Sequence, residues 1–113
     1  MDIAKIKRPP RDLVDRVREV GAATASATLA HMGIRNCFMD GPVARTPGQV
    51  VAGPCVTLQM MPKREDLFGE GEYADVEKQL HRHVLYQAEE GDIVVVDARG
   101  DMTSGIFGDM MMT

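Results

Sequence analysis

A turn bounded by two glycines near residue 108 has the residue types of an anion site. Gly105 and Gly108 are three residues apart, and Asp109 follows directly. Glycines let the backbone turn tightly and approach a ligand, and aspartate is preferred at the start of a helix. Because the free amides at a helix start favour negative charge, a small carboxylate fits there. An ordinary capped turn uses the same residues, so spacing alone leaves both interpretations open.

Asp97 is the second candidate, because it follows the continuous β-branched run of residues 93–96. Open α/β sheets often bind ligands at the carboxyl ends of such strands; the alternative is a turn aspartate that caps its own loop. His81 and His83 are two residues apart, so on a helix their side chains point in different directions. We therefore expect surface or half-buried histidines that share no metal.

The remaining chemistry-bearing residues give weak signals. Cys37 and Cys55 have no CxxC neighbour, and we expect reduced, buried cysteines that act as small hydrophobic residues. Nine methionines outnumber the five aromatic residues, and adaptable core packing is their expected role. No nucleophile elbow, P-loop or HExxH motif occurs.

Length and composition predict one ordinary globular domain. The chain has 113 residues, of which 44% are hydrophobic and 27% charged, which excludes a disordered tail, a collagen-like chain and a disulfide scaffold. No apolar run approaches a membrane span. The first ten residues contain no apolar signal-peptide segment, and we expect a leader at 1–10 and a cytoplasmic protein.

Charge is distributed unevenly along the chain. The net charge is −4, but residues 1–20 carry +2 and residues 63–113 carry −7. An acidic C-terminal half argues against direct binding of a nucleic-acid backbone. The short basic start is interpreted as a solvated segment.

Apolar spacing predicts three helices. The stripe in residues 11–20 predicts the first, which Gly21 can close. Residues 24–31 predict a second, short helix that ends near Gly33. Residues 73–89 carry the clearest stripe, with Val76, Leu80 and Val84 on one face.

Strands are predicted on either side of the third predicted helix. Residues 49–60 are rich in Val, Thr, Leu and Met but are interrupted at Gly53, which predicts two short strands or one bulged strand. Residues 62–72 read as an exposed loop. Residues 93–96 predict a strand buried on both faces, and residues 98–104 a polar connection.

Four segments together resemble the RraA-like family, which includes 4-hydroxy-4-methyl-2-oxoglutarate aldolases and the regulator of ribonuclease activity A. They are residues 46–48 with 51–57, residues 90–97, residues 100–101 and residues 105–111. Cys55 replaces the usual alanine, and Met110 and Met111 replace the usual leucines. The resemblance covers residues 11–113.

The resemblance implies an α/β/β swivelling-domain fold, assembled as a homotrimer or a dimer of trimers, with active sites between subunits. Carried over by position, Gly108, Asp109, Met110 and Met111 would form the turn that holds pyruvate. The amides of Met110 and Met111 would bind its carboxylate, and Asp109 would be the catalytic residue that orients a proton-carrying water.

The resemblance also implies a divalent metal, Mg²⁺ or Mn²⁺. The family's Asp-Gly-x-x-Arg-Asp motif, whose arginine binds the keto acid and whose aspartate holds the metal, follows the turn and does not occur in these 113 residues. We therefore assign no metal ligand here and expect the ligands outside this sequence. We expect the N-terminal part of a single domain, either a fragment or a truncated member without the chemistry.

Two functions follow from the resemblance. The first is a metal-dependent class II aldolase that cleaves 4-hydroxy-4-methyl-2-oxoglutarate-type 2-oxo acids to pyruvate, with oxaloacetate decarboxylation as a side activity. The second is a non-catalytic regulator that binds and inhibits a ribonuclease. The 113 residues alone are expected to be inactive.

Overall fold

The computed structural model describes residues 5–62, 66 and 75–108, and the chain divides into two units. A helical unit comprises Arg8–Pro54; a strand unit comprises Met1–Lys7 together with Cys55–Thr113. Helices and a parallel sheet occur together, which confirms the mixed α/β class. Among the helices so described, none is long and apolar enough to cross a membrane.

Two consecutive helices, joined at Gly21, form the helical unit. Helix α1 (Arg11–Val20) has the predicted bounds, and α2 (Ala22–His31) begins two residues earlier than predicted. Gly21 has φ 85°, a conformation that favours glycine. Its amide donates to the Val17 carbonyl at 3.3 Å, and its own carbonyl accepts from Ala25 at 3.0 Å. The one glycine thus ends α1 and begins α2.

Gly33 ends α2, as the sequence predicts. The Ile34 amide donates to the Leu29 carbonyl at 2.9 Å, and the Gly33 amide donates to the Ala30 carbonyl at 3.1 Å. This pair of bonds, with Gly33 at φ 87°, is a Schellman motif.

A parallel pair of strands forms the strand unit. Strand β1 (Cys55–Gln59) pairs with β2 (Ile93–Asp97), with Cys55 opposite Ile93 and Gln59 opposite Asp97. The region from residue 49 to 60 therefore contains one strand, which begins only after Gly53 and Pro54. Strand β2 confirms the predicted strand at 93–96 and extends it by one residue.

The predicted helix at 73–89 is wrong in its bounds. Residues 73 and 74 lie outside the described residues; a 3₁₀ turn (Val76–Lys78) and then helix α3 (Leu80–Gln87) occupy the rest. Gln79 between them is extended. Aspartates compete with the helix at both ends: Asp75 Oδ1 accepts from the Glu77 amide at 3.1 Å, and Asp92 Oδ2 accepts from the Glu89 amide at 2.9 Å.

The core of the strand unit is small and lies on one face of the sheet. Among the described residues only Val56, Leu58 and Val84 are buried. Partly buried apolar residues surround them: Ile6, Met60, Val94, Val96, Ile106 and Phe107. Helix α3 thus covers one face through Val84.

Two predictions of burial are wrong. Strand β2 is half-buried along residues 93–96 rather than buried on both faces, because α3 packs on one face only. Cys37 and Cys55 are free and exposed rather than buried. Cys55 stands on the face of β1 opposite Val56 and Leu58, and Cys37 lies in the exposed segment that follows α2.

Most of the loop predicted at 62–72 lies outside the described residues. Pro62 and Asp66 are described, and both are exposed. The polar connection at 98–104 is present as irregular, mostly exposed chain, and it leads to the segment that carries the candidate glycine turn.

Candidate functional site

The carboxyl ends of β1 and β2 are joined by one aspartate. The Met60 amide donates to the Asp97 carbonyl at 2.8 Å, and Gln59 Nε2 donates to Asp97 Oδ2 at 3.3 Å. The other carboxylate oxygen, Oδ1, accepts from the Arg99 amide at 2.9 Å. Asp97 therefore caps its own loop, as the turn interpretation predicts, and also bridges to the neighbouring strand.

A tight turn follows Asp97 and holds an arginine in an unusual conformation. The Asp101 amide donates to the Ala98 carbonyl at 3.1 Å, and the two residues between have positive φ, 56° for Arg99 and 81° for Gly100. This φ pattern is that of a type I′ turn, which favours Gly, Asn or Asp at both positions. For arginine the left-handed backbone costs roughly 1–2 kcal/mol.

The Asp101 side chain accepts hydrogen bonds from the next part of the loop. Its Oδ1 accepts from the Thr103 amide at 2.9 Å, from the Ser104 amide at 3.1 Å and from the Thr103 hydroxyl at 3.1 Å. The Ser104 hydroxyl, together with these donors, holds the pKa of the Asp101 carboxyl well below its usual range. The Asp101 carboxylate is therefore ionised near neutral pH, where it orders the loop and is a poor group for proton transfer.

A groove of about 790 Å³ lies at these strand ends. Its walls come from the end of β1, the start of α3 and the loop after β2. The lining residues are Gln59, Met60, Met61, Pro62, Lys78, Gln79, Leu80, His81, Ala98, Arg99, Gly100, Asp101, Ser104, Gly105 and Ile106. The groove thus lies where parallel α/β sheets place their ligands.

The groove combines two cations with one anion that is already engaged. Lys78 Nζ lies 3.8 Å from Asp75 Oδ2 in an exposed ion pair, and the Asp101 carboxylate is bound to its own loop. The Arg99 guanidinium adds five donors in a planar fork that suits a carboxylate. The chemistry of the lining therefore favours a small anion.

The two histidines of α3 have separate partners. The ring of His81 meets that of Phe107 edge to face, with centroids 6.4 Å apart. His83 Nε2 lies 2.6 Å from the Glu77 carbonyl oxygen. His81 is a groove residue, whereas His83 ties α3 to the preceding 3₁₀ turn.

The part of the chain that the structure describes does not fit a divalent metal. Within it, no group of three His, Cys, Asp or Glu side chains comes together. Asp97 and Asp101 are close in sequence, but loop amides already bind Oδ1 of each carboxylate. Mg²⁺ and Mn²⁺ need several oxygen ligands in regular geometry, and these residues do not supply them.

Of the four predicted site residues, only Gly108 is described. It is exposed, a Cβ there would meet nothing within 4 Å, and it is absent from the groove lining, which reaches Ile106. Asp109, Met110 and Met111 lie outside the described residues. The assignment of these four residues stays a prediction.

Sequence reasoning missed two polar residues that line the groove, Gln59 and Arg99. Gln59 joins the site because β1 and β2 pair in parallel, and the register was the missing signal. Arg99 joins through a positive φ that arginine rarely adopts, so its residue type gave no signal.

Comparison with known proteins identifies the family. The family model for RraA-like proteins, described as Aldolase/RraA, matches residues 11–113. The chain belongs to the RraA-like family. This agrees with the resemblance carried by the four sequence segments. No curated protein sequence gives a significant match.

A solved structure supports the RraA-like assignment. It is RraAS2 from Streptomyces coelicolor, reported as an unusual member of the RNase ES inhibitor RraA protein family. The sequences are 38% identical, and the TM-score is 0.77. The match covers 95% of this chain and 48% of RraAS2. This RraA-like chain therefore spans about half the length of that relative.

Proposed function

We propose that this RraA-like chain supplies the carboxylate-binding part of a 2-oxo acid aldolase. The reaction is the retro-aldol cleavage of a 4-hydroxy-4-methyl-2-oxoglutarate-type substrate, which releases pyruvate. Decarboxylation of oxaloacetate passes through the same pyruvate enolate and is the expected side activity. The supporting observation is the groove at the carboxyl ends of β1 and β2, whose rim carries Arg99.

Arg99 and the glycine turn have complementary roles in this proposal. The Arg99 guanidinium binds the second carboxylate of the dicarboxylate substrate through two parallel hydrogen bonds. The turn of residues 108–111 holds the pyruvate moiety, with its carboxylate bound by the amides of Met110 and Met111, and Asp109 orients the water that carries the proton. These last roles rest on the resemblance of residues 108–111 to the family's turn.

The described residues do not fit a divalent metal. The Mg²⁺ or Mn²⁺ that the family resemblance implies would be held by residues outside this sequence. The contribution proposed for this chain is binding and orientation of the substrate carboxylate, a positioning effect.

The proposal also includes the assembly. Residues 11–113 form the N-terminal part of one swivelling α/β/β domain, and Ile6 of the segment predicted as a leader packs against the core of the strand unit. Such domains assemble as a homotrimer or hexamer in the cytoplasm, with the active site between subunits. The family model, which matches residues 11–113, supports this extent of the domain.

Oxalate, a stable mimic of the pyruvate enolate, tests the binding role. We expect it to shift the backbone amide signals of Arg99, Gly105 and Gly108 in a saturable manner, whereas the neutral analogue oxamide leaves them unchanged. The same titration with Arg99→Gly should weaken oxalate binding by about tenfold, the scale of one charged hydrogen-bonding group. Unchanged shifts at all three residues would contradict the proposed site.

A second function, a regulator that binds a ribonuclease, is favoured by one observation. RraAS2 is reported as a member of an RNase ES inhibitor family. The net charge of −7 in residues 63–113 complements a basic RNA-binding surface on such a partner. Inhibition of an RNase ES-type enzyme by this chain, weakened by salt and unaffected by oxalate, would support this function over the aldolase.

A further inference from the structure

The groove at the carboxyl ends of β1 and β2 has an apolar part. Met60 and Ile106 line it, are half-buried and pack against the buried core cluster of the strand unit. Met61, 72% exposed, and Leu80, 47% exposed, are the more exposed apolar members of the same lining. We call these four residues, Met60, Met61, Leu80 and Ile106, the apolar wall.

Two cations line the same groove as the apolar wall. Arg99 lies in the turn after β2, and Lys78 lies in the 3₁₀ turn before α3. The carboxylate of Asp101, also in the lining, is bound to its own loop. Ligand sites typically combine an apolar lining with a few polar groups that fix orientation. This combination suits a molecule that carries both a carboxylate and an apolar arm.

The groove is larger than a three-carbon acid requires. Its volume of about 790 Å³ lies in the upper part of the range of about 300–1,000 Å³ that holds drug-sized ligands. Pyruvate and oxalate are far smaller than such ligands, and a single methyl substituent covers only a small part of four apolar side chains. Removing the remaining apolar surface from water would be favourable. The size and the lining therefore indicate a ligand with a longer apolar group.

Methionine at two positions of the apolar wall lets it adapt to the shape of such a group. The Met60 amide donates to the Asp97 carbonyl at 2.8 Å, so its backbone is held at the end of β2, and Met61 follows directly. Their unbranched thioether side chains have three rotatable bonds and fill irregular spaces. The backbone of Met60 is therefore fixed in position, whereas the surface of the wall can adjust.

We propose that the groove takes 4-hydroxy-2-oxo dicarboxylic acids that carry at C4 an alkyl chain longer than methyl. This rests on the proposed function, in which Arg99 binds the second carboxylate. C4 is bonded to that carboxylate, so its substituent enters the groove beside Arg99 and lies on the apolar wall. In the cleavage the C3–C4 bond breaks, the C4 hydroxyl loses its proton and becomes a ketone, and C3 takes up a proton. The products are pyruvate and a 2-oxo acid that keeps the chain.

Substituted glutarates, which have the carbon skeleton of the substrate without its reacting groups, test the proposal in NMR titrations of the 113-residue chain. Each methylene removed from water strengthens binding by up to about fourfold. We therefore expect 2-butylglutarate to bind about tenfold or more tightly than 2-methylglutarate, and more tightly than 2-(carboxymethyl)glutarate, whose arm is charged. The butyl compound should shift the side-chain methyl signals of Met60 and Met61. The signal of Met102, which is 92% exposed and outside the lining, should stay in place.

Matched substitutions show whether the apolar wall causes the preference. Met61→Gln keeps the length of the side chain but makes it polar, and it should lower the ratio of butyl to methyl affinity by about threefold, the scale of one methylene. Leu80→Gln should lower the same ratio. Met102→Gln, the same change outside the groove, should leave the ratio unchanged. All three side chains are exposed, and circular dichroism melts establish that each variant is folded.

Two results would overturn this proposal and leave the carboxylate site intact. The first is equal affinity for the butyl and methyl compounds, with saturable shifts of the Arg99 and Gly105 amides. The second is tighter binding of the carboxymethyl compound than of the butyl compound, which would assign a polar arm to the groove. A third result, no shift at Arg99 and Gly105 with any glutarate or with oxalate, would contradict the proposed function itself and this proposal with it.

Discussion

A hydrogen bond of 3.3 Å joins Gln59 Nε2 to Asp97 Oδ2. The two residues lie 38 positions apart in sequence, at the carboxyl ends of β1 and β2. The same aspartate binds the Arg99 amide through its other carboxylate oxygen. One side chain therefore links the ends of the sheet to the turn that carries Arg99. The geometry of the groove depends on this link.

Replacing Asp97 with alanine should lower the free energy of unfolding more than replacing Gln59 with alanine. Asp97→Ala loses both side-chain bonds, and we expect the free energy of unfolding to fall by about 1–2 kcal/mol. Gln59→Ala loses one bond between exposed groups and should cost about 0.5 kcal/mol. Urea unfolding of the two variants gives both values, and equal losses would show that the Arg99 bond contributes nothing.

Replacing Arg99 should weaken oxalate binding without lowering the stability of the chain. Arg99→Gly relieves the left-handed strain at φ 56°, so we expect unchanged or slightly higher stability, by up to about 1 kcal/mol. Oxalate affinity should fall because the guanidinium is lost. Arg99→Asn, which also tolerates positive φ, is the matched control. Thermal melts measure the stability of both variants, and calorimetric titrations measure their oxalate affinity. Unchanged oxalate affinity in both variants would exclude Arg99 from the site.

The Asp101 loop should resist acid. The pKa of Asp101 is lowered by hydrogen bonds from Ser104 and Thr103, so the folded chain binds this proton more weakly than the unfolded chain. The stabilisation is therefore complete above the unfolded pKa of about 3.9 and is lost as pH falls towards the lower folded pKa. Amide signals of Thr103 and Ser104 should stay in place from pH 7 to about pH 4.

A substitution extends the same test. Asp101→Ala should accelerate hydrogen exchange at the Thr103 and Ser104 amides by about threefold to tenfold, while exchange at the Met60 amide, bound to the Asp97 carbonyl, stays unchanged. Exchange that is unaffected at Thr103 would mean that its bond to Asp101 does not form in solution.

Asp109 should be needed for turnover but not for folding. In a protein that also contains the family's Asp-Gly-x-x-Arg-Asp motif, Asp109→Asn keeps a similar cap but loses the charge that orients water. We expect turnover to fall by roughly 10²–10⁴-fold and stability to change by at most about 1 kcal/mol. Steady-state kinetics and thermal melts test this. Normal turnover in the folded variant would reduce Asp109 to a helix cap.

The 113 residues alone should be inactive and prone to associate. The family's arginine and metal-binding aspartate are not in this sequence, and the α1 side chains of Leu13, Val17 and Val20 are each 46–51% exposed, which favours association. A pyruvate-release assay with Mg²⁺ or Mn²⁺, run beside light scattering, checks both points. Metal-dependent release by a monodisperse chain would place the catalytic residues within these 113.

Local signals predicted much of the fold. The spacing of apolar residues in α1 and the left-handed glycine after α2 act within a few residues, and both helices formed where the sequence indicated. The β-branched run gave β2 for the same reason. The break at Gln79 was missed because the apolar stripe continues through it, whereas the aspartate caps that compete with the helix depend on side-chain geometry.

Burial and the groove depended on information that a local pattern does not contain. Residues 93–96 have the composition of a strand that is buried on both faces. Their burial, however, depends on which elements pack on the sheet. The meeting of Gln59 with Asp97 required the register of two strands that are far apart in sequence. The positive φ of Arg99 could not be predicted from the sequence, because turns of this type usually contain glycine or asparagine.

The parallel pairing of β1 with β2 also has a consequence for synthesis. The partner of Cys55 is Ile93, so β1 leaves the ribosome well before the strand that completes its ladder. At about 5–20 residues per second, this delay lasts roughly 2–8 seconds. During that time the nascent β1 presents unpaired backbone groups and the side chains of Val56 and Leu58. A chaperone that holds short apolar segments during translation would therefore raise the yield of folded protein, and slower translation would lower it.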